Sequence, residues 1–204
     1  KVKRKIGFLP EESYLYKFLN AEEILDFYGK LFDIPRKERK DLIDKLIQVV
    51  GLSQYRKRPL SQYSKGMLRR IGVAQAMIND PELVILDEPT SGLDPIGSRE
   101  MKDLIQEFKR QGKTVVLCSH LLADVQNVCD RIAILNKGVL QVVGSVKELL
   151  SQQDVIEFLV RNLSSGDIQA VEALIKSRNG DVLSIKHPSS TLEDLFVNII
   201  QDHK

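Results

Sequence analysis

Hydrophobic positions in this chain follow first a helical period and then a strand-like one. Ile6 to Leu9 form a short apolar run halted by Pro10, Glu11 and Glu12, which predicts a strand entering a loop. From Asn20, a suitable N-cap, the segment AEEILDFYGKLFDI places Ile24, Phe27, Tyr28, Leu31 and Phe32 on one helical face until Pro35 ends it. A second helix, over about 36–50, carries Leu42, Ile43, Leu46, Ile47 and Val50 at the same spacing and stops at Gly51. A third, capped by Ser64 and running to Asn79, has Met67, Leu68, Ile71, Ala74 and Ile78 as its stripe, and Pro81 closes it.

The period then changes. Leu83 to Leu86 are consecutive aliphatics without alternation, the pattern of a strand covered on both faces of a parallel sheet. A helix follows from Pro95 to about Arg110, opened by Asp94 as N-cap and closed by Gly112, and Thr114 to Cys118 read as a second buried strand. Strand, helix, strand is a parallel crossover, so the chain is expected to be α/β with a three-layer core. Arg131 to Leu135 and Val139 to Val143 flank Asn136-Lys137-Gly138, a hairpin expected at the edge of that sheet. The expected organisation is a main domain over 1–150, with a helical subdomain at about 20–80, and a small α/β appendage over 151–204. Within the appendage the pattern predicts a strand at 155–160, a helix at about 167–177, a strand at 181–186 and a closing helix from Thr191.

Composition narrows the function. A chain of 204 residues that is 43% hydrophobic can bury a core and is not a disordered segment. Its 30 Lys and Arg against 28 Asp and Glu leave +2, without the strong positive field that neutralises phosphates, so nucleic acid is not expected as a partner. No apolar run approaches the roughly 18 residues of a membrane span, and KVKRKIGFLPEE lacks the apolar core of a signal peptide. Cys118 and Cys129 lie in apolar surroundings without a Cys-x-x-Cys pair or a His cluster, and read as buried thiols in a reducing compartment.

The stretch richest in chemistry is ELVILDEPTSGLDP, from Glu82 to Pro95. A hydrophobic strand delivers Asp87 and Glu88 at its C-terminal end, where parallel sheets bind ligands. In a nucleotide-hydrolysing site Asp87 would orient Mg²⁺ and Glu88 would position or deprotonate the attacking water. Upstream, a helix opening at Ser64 presents unpaired N–H groups and a positive dipole end, with Gly66 permitting close approach, which makes an anion site.

ILDEPTSGLDP resembles the Walker B segment and D-loop of the ATP-binding cassette ATPases, a P-loop NTPase family. YSKGMLRR, from Tyr63 to Arg70, is similar to that family's signature motif in a divergent form, with Lys65 and Met67 in place of a glycine and a glutamine. VVLCSH, ending at His120, looks like its switch-histidine strand, and IGFLPEE resembles its Q-loop with Glu11 at the glutamine position. The four motifs fall in the family's order between residues 6 and 120.

The resemblance implies a site in which Glu88 and His120 are catalytic and Asp87 and Glu11 hold Mg²⁺. It further implies that Ser64, Lys65, Gly66 and Asp94 act across a dimer, the signature closing on the γ-phosphate of ATP bound by the opposite subunit. Glu11 cannot donate as a glutamine amide does, but can still hold Mg²⁺ through water. The implied function is the ATP-hydrolysing subunit of a transporter, peripheral to the cytoplasmic face of the membrane. Its implied partners are transmembrane permease subunits and a second ATP-binding subunit. The YSKGM form and the C-terminal TLEDLFVNII resemble subunits of bacterial exporters. The alternatives are a soluble ATPase of the same family, or a non-catalytic cassette that lends Ser64 to an intact partner.

A phosphate-binding loop needs Gly-x-x-x-x-Gly-Lys-Ser/Thr after a strand. Gly112-Lys113-Thr114 comes nearest, but position 107 is glutamate where the first glycine belongs. In the family this loop precedes the Q-loop, so the resemblance implies an incomplete core, and these residues alone are expected to bind ATP poorly.

Overall fold

Three parallel strands, β1 (Ile6–Leu9), β2 (Leu83–Asp87) and β3 (Thr114–Cys118), pair in that order in the computed structural model, which describes residues 2–151, 156, 158 and 160–185. Leu9 lies opposite Leu86, and Asp87 opposite Cys118. All three strands therefore end at one edge of the sheet, and the segments that follow them, starting at Pro10, Glu88 and Ser119, leave side by side.

Helix α4 (Pro95–Arg110) makes the crossover from β2 to β3, with Met101, Leu104, Ile105 and Phe108 buried and Asp94 as its cap. Both ends agree with the Pro95 and Gly112 signals. The helical region is α1 (Ala21–Leu31), α2 (Arg36–Val49) and α3 (Lys65–Ala76). Asn20 caps α1 by accepting from the Glu22 and Glu23 N–H groups, and the Glu23 carboxylate accepts from the Asn20 N–H in return. Gly51 ends the second helical segment at φ +67°, the left-handed conformation that glycine adopts without a Cβ clash. Between α1 and α2 the buried Arg39 donates to Asp26 at 2.5 Å and to the Ile34 carbonyl at 2.6 Å. Arg56 pairs with both Glu22 and Asp44.

The α1 stripe differs from the expected one. Ala21, Ile24 and Leu25 are buried, while Phe27 is 38% and Leu31 62% exposed. Phe27 instead packs edge-on against Tyr16 and Tyr28 at 5.7 and 5.4 Å, forming an aromatic group with the loop after β1.

The sheet also differs. In β2, Val84 and Leu86 are fully buried but Leu83 and Ile85 only half-buried, and in β3 the exposed Thr114, Val116 and Cys118 alternate with half-buried Val115 and Leu117. Only one face of these strands is thus fully covered within the described residues. Cys118 falls on the other face and is exposed, and Cys129 is half-buried, so neither is the buried thiol expected. Burial and the neighbouring Asp130 push the Cys129 thiol pKa up.

The hairpin forms as β4 (Arg131–Asn136) and β5 (Val139–Ser145), with a bulge between Ile134 and Leu135. It makes its own two-stranded sheet and does not extend the parallel one. Helix α5 (Leu122–Val128) precedes it and α6 (Val146–Leu150) follows. The chain divides into two compact units, Lys1–Val146 and Lys147–Lys204. The second contains α7 (Ser165–Ser177), started by a capping box between Ser164 and Asp167. The strand predicted at 181–186 does not form at 181–185. The helix from Thr191 and much of the strand at 155–160 lie outside the described residues.

Helix α3 lies against β1 so closely that a Cβ on Gly7 would stand 2.0 Å from the Ala76 carbonyl oxygen. Backbone cannot yield as a side chain does, so Gly7→Ala is expected to destabilise the fold by about 3 kcal/mol, read from urea denaturation.

Candidate functional site

At the common strand edge the chain makes a left-handed turn at Glu88, φ +48°, a conformation that costs a non-glycine residue about 1–2 kcal/mol. Every polar part of that residue is engaged. Its N–H donates to the Cys118 carbonyl at 2.9 Å, and its carbonyl accepts from Arg69 Nη2 at 2.8 Å. Its Oε1 accepts from the His120 backbone N–H at 2.9 Å and lies 2.8 Å from His120 Nδ1, and the Ser119 hydroxyl donates to Oε2 at 3.4 Å. The sequence-predicted pair Glu88 and His120 is therefore in direct contact, with the imidazole 68% exposed and open to a ligand.

Asp87 ends β2, and Glu11 is exposed on the loop after β1. Asp87, Glu88 and Glu11 share a neighbour absent from the sequence-predicted site, Arg69 of α3. Its side chain is almost fully buried, donates through Nη1 to the Pro10 carbonyl at 2.8 Å, and feels the charges of Glu11, Asp87 and Glu88. Burial pushes the Arg69 pKa down from the usual arginine range, and the three carboxylates pull it back up. The sequence carries little signal for it: Arg69 stands beside Arg70 and one turn from Lys65, a setting that reads as a solvated charged face.

Hard carboxylate oxygens from Asp87 and Glu11 are a donor set suited to Mg²⁺. Among the described residues no three His, Cys, Asp or Glu side chains gather as a metal site.

The other candidates assemble around the start of α3. Ser64 Oγ accepts from the Met67 N–H at 3.2 Å as N-cap, which leaves its own O–H free to donate. Lys65 lies along the turn at Gly92, φ +67°, where its Nζ occupies the space a Cβ would need. Asp94 caps α4 by accepting from the Gly97 N–H at 2.6 Å. At Gly66 an added Cβ would meet only Leu93 Cδ2 at 3.8 Å and Ser64 Oγ at 3.9 Å, ordinary contacts. Packing among the described residues therefore does not require glycine at 66. The eight predicted residues thus form two groups, one at the strand edge and one at the helix start, joined by α3.

Residues 1–91 match the family described as ABC transporter. An uncharacterized ABC transporter ATP-binding protein of Synechocystis sp. is 42% identical over 98% of this chain, which spans 63% of that relative's length. A second, from Methanocaldococcus jannaschii, is 34% identical over 97% of this chain and 76% of its own. Among solved structures, a dimeric ATP-binding cassette in a post-hydrolysis state bound to ADP and Pi is similar with a TM-score of 0.62 and 25% identity, covering 71% of this chain and 65% of that one.

Because Gly66 has room for a methyl group and sits in the first turn of a helix, where alanine is preferred, Gly66→Ala is expected to leave the melting temperature unchanged or raise it slightly, by at most about 1 kcal/mol of stability.

Proposed function

The chain belongs to the ABC transporter family, among relatives that are ATP-binding subunits, and on that premise we propose that it is the ATP-hydrolysing part of a transport ATPase. The observation that carries the reading is the Glu88 carboxylate, held by the Ser119 hydroxyl and the His120 N–H at a strand end beside Asp87. A carboxylate pinned there can accept a proton from a water aimed at a phosphate, and its hydrogen bonds orient the lone pair that takes the proton.

Each residue then has a role. Asp87 and Glu11 would hold Mg²⁺, Glu11 through water, and the ion would supply positive charge to offset the charge that develops on the phosphate. Glu88 is the general base. His120, two-thirds exposed, reaches past Glu88 to a phosphate oxygen. Ser64 and the N–H groups at Lys65 and Gly66 point from a helix start toward an anion held by a second subunit. The free space at Gly66 supports that trans role, since no contact among the described residues explains the glycine. Lys65 adds a positive charge beside it, and Asp94 contacts the partner subunit while capping α4.

The proposed assembly is two ATP-binding subunits that close on ATP and move transmembrane permeases carried on other chains. The dimeric state of the similar solved cassette supports the pairing. No helix among the described residues is long and apolar enough to cross a membrane, which fits a peripheral place at the cytoplasmic face. The proposed direction is export, on the YSKGM form of the signature and the TLEDLFVNII segment.

In the complete subunit, Glu88→Gln is expected to cut Mg-ATP hydrolysis by about 100- to 10,000-fold while ATP binding survives, measured by phosphate release and nucleotide binding. Hydrolysis at the wild-type rate would remove the base from this account. Gly66→Ala is expected to fold normally yet hydrolyse roughly 100-fold more slowly, because a methyl group blocks approach of the partner's phosphate. The 204 residues by themselves, which contain no Gly-x-x-x-x-Gly-Lys-Ser/Thr loop, should show no saturable Mg-ATP binding below about 1 mM in calorimetry.

A further inference from the structure

Arg69 is a charged side chain placed where a hydrophobic one would be the inexpensive choice. It is 5% exposed, and its Nε is buried with no hydrogen-bond partner among the described residues. An unpaired buried donor costs stability, so the arrangement is not optimised for that alone. What the guanidinium does engage is specific: Nη1 meets the carbonyl of Pro10 and Nη2 the carbonyl of Glu88, each at 2.8 Å. Those carbonyls belong to the segments leaving two adjacent strands, one carrying Glu11 and the other carrying the base.

We propose that Arg69 is a positioning residue whose rigid fork couples the loop after β1 to the backbone of Glu88, so that the base is aligned only while that loop is in place. This inference rests on the hydrolytic role given to Glu88 above. Three observations converge on it. Glu88 is left-handed, a conformation that persists only where its surroundings enforce it. Its carbonyl has Arg69 as donor, while its N–H and carboxylate are held by β3 and the segment after it. And the planar fork meets the two carbonyls with two separate nitrogens held in fixed relation, whereas a lysine in the same place brings one compact ammonium on a flexible stem. Displacement of Pro10 and Glu11 would pull on the same guanidinium that fixes Glu88. The two strands are paired as far as Leu9 and Leu86, so movement is confined to the segments beyond them.

The experiment uses the complete subunit with Mg-ATP and four variants: R69K, R69M, E88Q and the double variant R69K/E88Q. R69K keeps the charge and loses the fork; R69M keeps the apolar stem. Both are expected to lower kcat by roughly 10- to 100-fold while KM for ATP moves by no more than about twofold, the signature of a base out of line with nucleotide contacts intact. If R69M does not fold, R69K carries the comparison alone. In the E88Q background, R69K should cause no further loss, because its effect passes through the missing carboxylate.

Wild-type kcat in R69K would overturn the proposal. So would a raised KM with kcat preserved, which would place Arg69 in nucleotide binding. So would a full additional loss in the double variant, which would mark general loosening of the fold. The two failures are distinguishable: an inactive E88Q beside a fully active R69K removes only the coupling, whereas an active E88Q removes the hydrolytic reading on which it rests.

Discussion

Parallel register is the constraint on which the rest of this molecule depends. Backbone hydrogen bonding sets Leu9 beside Leu86 and Asp87 beside Cys118, so β1, β2 and β3 end together. Because the strands run the same way, each must be reached by a crossover, and α4 supplies the one between β2 and β3. The result is that residues 11, 88 and 120, far apart along the chain, emerge at one edge. A slip of one residue in β2 would swap its buried and half-buried faces and turn Asp87 and Glu88 away together, so core packing and site alignment are the same requirement.

At that edge the structure accepts two local costs: a left-handed glutamate and a buried guanidinium with one unpaired N–H. Each offsets the other in part. The Glu88 carbonyl gives Arg69 an acceptor, and three nearby carboxylates stabilise a positive charge that burial alone would disfavour. Arginine suits the position because it remains charged even when partly desolvated. Here two local rules of stability are broken by residues in direct contact, Arg69 Nη2 on the Glu88 carbonyl, a pattern expected where chemistry has priority over packing.

Much of this was legible in the sequence where a residue's role is local. Asp94, Pro95 and Gly112 bounded α4 to the residue, since capping and the left-handed stop act within a turn. Ser64 and Asn20 were equally plain. Features set by neighbours from elsewhere were not. Phe27 and Leu31 satisfy the helical period but lie outside the buried stripe, and Phe27 packs instead on Tyr16 from the loop after β1. Leu83 to Leu86 are uniformly apolar, yet only alternate members are fully buried, and periodicity cannot say what covers the second face. The hairpin was recognised from Asn136-Lys137-Gly138, but a turn does not specify which strands its partners join. For the site, the motifs around Asp87, Glu88 and His120 supplied the carboxylates and the imidazole. Arg69 was missed because its meaning lies in two carbonyls, at 10 and 88, that only the folded chain brings within reach.

The position of Arg69 also links the two groups of candidate residues. It lies five residues beyond Ser64 on the same helix, about 7.5 Å along the axis, and a helix transmits displacement over that distance with little bending. The start of α3 faces outward with space at Gly66, while its next turn grips Glu88 from within. On the proposed reading, an anion from a second subunit that draws the helix start toward it acts on the same rigid element that holds the base. The close fit of α3 on β1 at Gly7 and Ala76 limits how far the helix can slide. Ser64 and Arg69, on one rigid helix, would move together in any rotation about that contact. Closure of the dimer and alignment of Glu88 would then be two consequences of one motion, with no relay of separate side chains between them.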